Sequence, residues 1–108
     1  MLRIYQDALA LCREAGRVAK EVERFDCDLA RQLRRAGTSV PLNIAEGSGS
    51  FGGHRRQRYF SALGSAREVV ACFDVAEAMG YVASVDARVR ELADIVIGTL
   101  TNVLRLKT

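Results

Sequence analysis

Two segments of the chain carry polar side chains at the spacing of a helix face. Buried charges must be paired, so where these faces meet Arg35 would be held by Glu46 or Glu68. The sequence therefore predicts a structural polar network, which would fix the register between two helices through Arg35, Ser39, Asn43, Glu46, Ser65 and Glu68. An ordinary solvated face is the alternative that helical periodicity leaves open.

Catalysis by this set would require Glu46 and Glu68 to act as a general acid and base. Such a pair works in a pocket, and the sequence offers no histidine or metal ligand beside it. We therefore predict that the protein is not an enzyme and has no catalytic residues. An enzyme or small-molecule binder using Glu46, Glu68 and Asn43 is kept as the third hypothesis.

Metal and nucleotide chemistry find little support in the remaining motifs. His54 is the only histidine, and Cys12, Cys27 and Cys72 form no Cys-x-x-Cys pair, so the sequence indicates no metal site. Residues 47–52 match G-x-G-x-x-G, but a helical pattern rather than a strand precedes them. We interpret this run as a helix–helix linker and expect no cofactor.

Arginines give the strongest indication of a ligand. The chain carries a formal charge of +3, while residues 31–58 hold six arginines and one acid. Guanidinium groups bind phosphate in a bidentate manner, and a helix start adds a favourable dipole for anions. The candidate nucleic-acid-binding residues are Arg31, Arg34, Arg55, Arg56 and Arg58. The alternative is that these charges are used in pairs within the chain.

The element that begins the chain is a helix predicted over residues 2–24. One apolar stripe contains Tyr5, Leu9, Cys12, Gly16 and Ala19, and a second contains Ala8, Leu11, Ala15, Val18 and Val22. Two adjacent stripes make an apolar face wider than one partner surface requires. The pattern therefore indicates that copies of the chain associate.

Three further helices follow. Asp26 is the predicted N-cap of the second, which we expect to be kinked rather than broken at Pro41. A loop over residues 47–53 leads to a third helix over 54–79, which Gly80 ends, and Ser84 is expected to cap the fourth. Its predicted apolar seam consists of Val85, Val89, Leu92, Val96, Thr99, Val103 and Leu106. The fold class is all-α, an antiparallel up-and-down four-helix bundle forming one domain over residues 1–108.

The sequence also bears on location. No apolar run approaches the roughly 20 residues that span a bilayer, and the first residues are patterned as a helix rather than as a secretion signal. We expect a cytoplasmic protein with no membrane partner and with reduced thiols.

Two stretches resemble a known family. Residues 32–47 and residues 62–68, the latter continuing to 76–82, are similar to the bacterial four-helix bundle proteins of 23S rRNA intervening sequences. A related protein is the accessory variability determinant of diversity-generating retroelements. The resemblance implies a ring-like homopentamer and, in the retroelement relatives, a basic ring that binds nucleic acid and a reverse transcriptase. It implies no known catalysis. The matching positions are Arg34, Arg35, Ser39, Asn43, Glu46, Gly64, Ser65 and Glu68.

Two binding hypotheses follow from these observations. The leading one is a non-catalytic homo-oligomer, a pentamer by the resemblance, that binds RNA or DNA in a ribonucleoprotein context. Weak arginine patches on several subunits would then bind one strand with avidity. The alternative is a structural or adaptor oligomer that binds a protein, for example a reverse transcriptase-like protein, without touching nucleic acid.

Overall fold

The computed structural model describes residues 2–105 and places four α-helices in this part of the chain. The helices are α1 (Leu2–Glu23), α2 (Cys27–Ser48), α3 (Gly52–Ala78) and α4 (Ala87–Leu104). Each packs against two neighbours in the cyclic order α1, α2, α3, α4, while α1 and α3 barely touch. The predicted all-α four-helix class is confirmed. The antiparallel course stays a prediction.

The core lies between the four helices and consists almost entirely of apolar side chains. Its largest fully buried side chains include Leu11, Leu33, Ile44, Leu63, Phe73 and Leu100. Removing such side chains from water supplies the main driving force for folding, about 1.5–3 kcal/mol for each one. Among the described residues no buried polar side-chain atom lacks a hydrogen-bond partner.

The helix ends follow local chemistry, with one correction. Asp26 caps α2 as predicted, because its carboxylate accepts a hydrogen bond from the Leu29 amide at 2.9 Å. Asp86 rather than Ser84 caps α4, accepting from the Arg88 amide at 2.7 Å. Ser84 lies three residues before the helix begins, too early to reach its first free amides. Gly80 has a φ of +74° after α3, the left-handed conformation in which glycine ends helices at least cost.

Helix α2 runs without interruption through Pro41, and the predicted kink stays a prediction. Gly37, four residues before Pro41, has a packing role, since an added Cβ atom would lie 2.9 Å from Ala15 Cβ on α1. Glycine therefore lets the backbones of α1 and α2 approach closely.

The two apolar stripes of α1 differ in how deeply they are buried. Four members of the second stripe, Ala8, Leu11, Ala15 and Val22, are at most 1% exposed. In the first stripe Ala19 is buried, while Leu9 remains 39% exposed, and Tyr5 and Cys12 are partly exposed. Part of the doubled apolar face therefore remains on the surface of a single chain.

The fourth helix buries a stripe offset from the predicted seam. Its buried side chains are Val89, Ala93, Val96, Leu100, Thr101 and Leu104. Leu92 and Thr99 lie at the edge of the stripe, and Val103 is 44% exposed. The predicted seam omitted Ala93, Leu100 and Leu104, and Leu106 lies outside the described residues.

The connection between α3 and α4 is held by a carboxylate. Glu77 accepts a hydrogen bond from the Val85 amide at 2.7 Å and pairs with Arg90 at 2.9 Å. The Val85 amide, and then Arg90, hold the pKa of Glu77 below its ordinary value of 4.5. A carboxyl whose pKa is lower in the folded state stabilises the fold when it is ionised. This contribution is present above about pH 4.5 and is lost as the pH falls through the folded pKa.

We therefore expect Glu77→Gln to reduce stability at neutral pH and to flatten the loss of stability on acidification below about pH 4.5. Urea unfolding followed by circular dichroism at a series of pH values measures both effects. Glu91→Gln, which alters an exposed glutamate of α4, is the matched control. Parallel pH profiles for the wild type and Glu77→Gln would contradict the assignment.

Two cysteine thiols have perturbed pKa values. Burial raises the pKa of the Cys12 and Cys72 thiols, and for Cys72 the neighbouring Glu68 raises it further. Such thiols are poor nucleophiles.

Among residues 2–105, no helix combines the length and apolar character that crossing a bilayer requires.

Candidate nucleic-acid interface

The arginines near the start of α2 are paired with carboxylates. Arg31 Nη1 lies 3.3 Å from Asp28 Oδ1 within the same helix. Arg34 Nη1 lies 2.6 Å from Glu23 Oε1 and links α2 to the end of α1. Exposed pairs of this kind add little stability, yet they balance the positive charge locally. Arg31 and Arg34 therefore use their charges in pairs within the chain, which is the alternative that the sequence left open.

Arg55 and Arg56, at the start of α3, are held by carbonyl groups instead. Arg55 Nε donates to the Gly47 and Ser50 carbonyls at 3.2 and 3.0 Å. Arg56 Nη1 donates to the Leu104 carbonyl at 3.1 Å. Within residues 2–105, no carboxylate forms a salt bridge with either guanidinium. Hydrogen bonds to carbonyl groups thus hold these two side chains in position, and their positive charges have no carboxylate partner within the described residues.

Arg58 differs from its two neighbours because Glu46 neutralises it. The Arg58 Nε atom lies 3.0 Å from Glu46 Oε2, which joins the last turns of α2 to the first turns of α3. Positions 34 and 46 of α2 are about 18 Å apart along the helix axis. The five candidate arginines therefore form two separate groups, of which only the group at the α2–α3 turn carries unpaired charge within the described residues.

A cavity of about 270 Å³ opens beside this second group. Its lining consists of Gly52, Arg55, Arg56, Tyr59, Val103 and Leu104. Phe51 precedes the lining residue Gly52 and is 84% exposed. The guanidinium of Arg56 also lies over the Phe60 ring, 5.1 Å from its centroid. This end of the bundle thus combines two cations, an apolar wall and an exposed aromatic ring.

The polar network is smaller than predicted. Asn43 Nδ2 donates to the Ser39 carbonyl and hydroxyl oxygens, both at 2.9 Å, and Ser65 Oγ donates to Ser39 Oγ at 2.8 Å. These three side chains bridge α2 and α3. Arg35 forms no ion pair within residues 2–105, and its expected partner Glu46 is bound to Arg58.

The two carboxylates considered for catalysis do not meet. Glu46 and Glu68 are both exposed, and Glu46 is bound to Arg58, ten residues before Glu68 on α3. Ten residues of helix span about 15 Å, too far for both carboxylates to reach one reacting group. The geometry gives no support to the acid–base hypothesis.

The glycine-rich run has a packing role. The loop is shorter than predicted, because α2 extends to Ser48 and α3 begins at Gly52. Gly47 is buried within α2, where a Cβ atom would lie 2.5 Å from Tyr59 Cε1. Gly52, with a φ of +55°, starts α3. His54 is exposed in the first turn of α3, and the described residues contain no group of three potential ligands for a metal.

A second cavity, of about 400 Å³, lies between α1 and the connection that leads from α3 into α4. Its polar lining includes Glu14, Glu21 and Asp86 together with Arg17, which pairs with Glu14 at 2.8 Å. The three carboxylates disfavour phosphate there, so the α2–α3 end is the better anion site.

Sequence reasoning did not find the contribution of α4 to the candidate site. Val103 and Leu104 line the cavity, and the Leu104 carbonyl holds Arg56 from 48 residues away in the chain. No local pattern signals that contact, since it exists only after the helices pack.

Comparison with known proteins identifies the family. No curated protein and no solved structure matched the chain. The predicted relationship to the retroelement accessory protein stays a prediction. The family model described as 23S rRNA-intervening sequence protein matches residues 1–101, nearly the whole of the four-helix fold. The chain therefore belongs to the 23S rRNA-intervening sequence protein family.

Proposed function

We propose that this protein is a non-catalytic homo-oligomer, a pentamer, that binds nucleic acid in a ribonucleoprotein context. The observation that carries the proposal is the pair Arg55 and Arg56. Both guanidinium groups lie beside an open cavity without a carboxylate partner among the described residues, and both are held in place by backbone carbonyls. The family description, which refers to an intervening sequence of 23S rRNA, favours RNA as the ligand.

Self-association is supported by apolar side chains on the outer surface. Exposed examples occur on all four helices and include Leu9, Leu42, Phe60, Val75, Ile95 and Val103. Five copies of a +3 chain would carry +15 and would present five Arg55–Arg56 pairs to one strand. Linked weak contacts of this kind bind with avidity, because each later contact is intramolecular.

The mass of the protein in solution, with and without RNA at several salt concentrations, tests this proposal. Light scattering is expected to give about five times the chain mass of 11.8 kDa. Added RNA should raise the mass at low salt and dissociate at high salt, because binding releases counterions. A monomer that binds no RNA at low salt would contradict the proposal.

The alternative is an adaptor oligomer that binds a protein without touching nucleic acid. It is favoured by the exposure of Leu42 (62%) and Met79 (60%), large apolar side chains of the kind found in protein interfaces. This alternative would be favoured by a protein partner that stays bound after nuclease treatment. Replacing Arg55 and Arg56 should then leave the affinity for that partner unchanged.

A further inference from the structure

We infer that the α2–α3 turn binds single-stranded rather than duplex nucleic acid, with a base stacked on Phe51 and its phosphate on Arg55 and Arg56. The inference rests on the proposed function and specifies its ligand class. It places the two arginines and Phe51 in one site, although sequence reasoning had treated only the arginines as ligands.

The phosphate half of the site depends on how the arginines are held. Arg55 uses its Nε atom for the Gly47 and Ser50 carbonyls, and Arg56 uses one Nη atom for the Leu104 carbonyl. Each guanidinium keeps further N–H donors for a ligand, since the group has five. Because the protein already orders both side chains, phosphate binding pays less conformational entropy.

The space beside the arginines suits a phosphate group. The cavity of about 270 Å³ is many times the roughly 30 Å³ that one water molecule occupies in the liquid. The carboxylate at this end of α2, Glu46, is bound to Arg58 and is thereby partly compensated. Repulsion of a phosphate at the cavity is reduced accordingly.

The base half of the site is the ring of Phe51. Among the large apolar side chains that the structure describes, Phe51 is the most exposed, at 84%. It lies on a short turn that is fixed by hydrogen bonds, from the Ser50 amide to the Gly47 carbonyl at 3.1 Å and from Ser50 Oγ to the Glu46 carbonyl at 2.8 Å. The ring is therefore presented to water on an ordered support.

The two halves are adjacent. Phe51 is bonded to Gly52, which lines the cavity, so their Cα atoms are about 3.8 Å apart. Base stacking on aromatic side chains combined with cationic contacts to the backbone is how proteins bind single strands without reading sequence. Bases within a duplex are stacked on one another and leave no free face for Phe51. The site therefore selects the single strand.

Fluorescence anisotropy tests this assignment on the intact protein with three probes. They are a short labelled oligoadenylate, the same strand with abasic sites, and a duplex of the same length. Phe51→Leu keeps an apolar side chain without an aromatic face, and Phe51→Trp keeps the face. We expect Phe51→Leu to weaken binding of the oligoadenylate roughly tenfold. Binding of the abasic strand should be unchanged, because that strand has no base at those positions to stack. Phe51→Trp should bind at least as tightly as the wild type.

Three outcomes overturn the inference. The first is a Phe51→Leu variant that binds the oligoadenylate like the wild type. The second is a duplex that binds as tightly as the single strand. The third is a change of oligomer mass in Phe51→Leu, which would assign the ring to a subunit contact. If replacing Arg55 and Arg56 weakens binding while Phe51→Leu does not, this inference fails and the proposed function stands. If the wild type binds no probe at low salt, the proposed function fails as well.

Discussion

Replacing Gly47 with alanine is expected to destabilise the fold by about 2 kcal/mol. In most helices this change stabilises by up to roughly 1 kcal/mol, because alanine is the better helix former. Here the added Cβ atom would lie 2.5 Å from Tyr59 Cε1 and 2.7 Å from Cδ1. Tyr59 is 3% exposed and belongs to the core, so moving its ring away would disturb the packing around it. Overpacking a core costs about 1–3 kcal/mol or more, and at this distance it outweighs the gain in propensity.

Urea unfolding at one protein concentration measures the effect, with Gly98→Ala as the matched control. Gly98 lies in α4, is exposed, and has no atom within 4 Å of an added Cβ. The control should be stabilised by about 0.5–1 kcal/mol. A Gly47→Ala variant as stable as Gly98→Ala would show that α2 and α3 do not pack through this glycine.

The double variant Arg55→Ala, Arg56→Ala is expected to lose about 3 kcal/mol of binding free energy for RNA, roughly a hundredfold in affinity. Each arginine would give up charge-assisted hydrogen bonds to phosphate, worth about 1.5–3 kcal/mol apiece. The fold should survive, because both side chains are exposed and none of their bonds to backbone carbonyls is fully buried.

The control is the double variant Arg31→Ala, Arg34→Ala. It removes the same formal charge from the chain, but from arginines already paired with Asp28 and Glu23. Any general effect of net charge is therefore equal in the two variants. We expect the control to bind within a few-fold of the wild type in the same anisotropy assay. Equal losses in both variants would mean that overall charge, rather than the α2–α3 end, attracts the ligand.

Features determined within one turn of helix could be predicted from the sequence. Asp26 caps α2 because its carboxylate needs only the amide three residues later. The failures at Ser84 and at the glycine-rich run have different causes. Asp86 satisfied the same local capping rule as Ser84 and was better placed. Gly47 owes its role to Tyr59, which only packing brings to it.

The candidate site depended on contacts that no local pattern encodes. The arginines were identified as one group, but their partners divide them. Arg34 meets Glu23 across two helices, Arg58 meets Glu46 across a turn, and Arg56 reaches the end of α4. Those long-range partners decide which charges remain for a ligand. The types of residue in the candidate site could therefore be predicted from the sequence. The choice of Arg55 and Arg56 as the candidate ligands for phosphate depends on the fold.

The dependence of RNA affinity on salt tests the central claim most directly. Each phosphate contact to a single strand contributes about 0.7 to the slope of log affinity against log salt concentration. Because Arg55 and Arg56 hold one phosphate together, removing them should lower that slope by about 0.7 for each subunit in contact with the strand, whereas removing Arg31 and Arg34 should leave it unchanged. A slope that is the same in the wild type and the Arg55→Ala, Arg56→Ala variant would contradict the account.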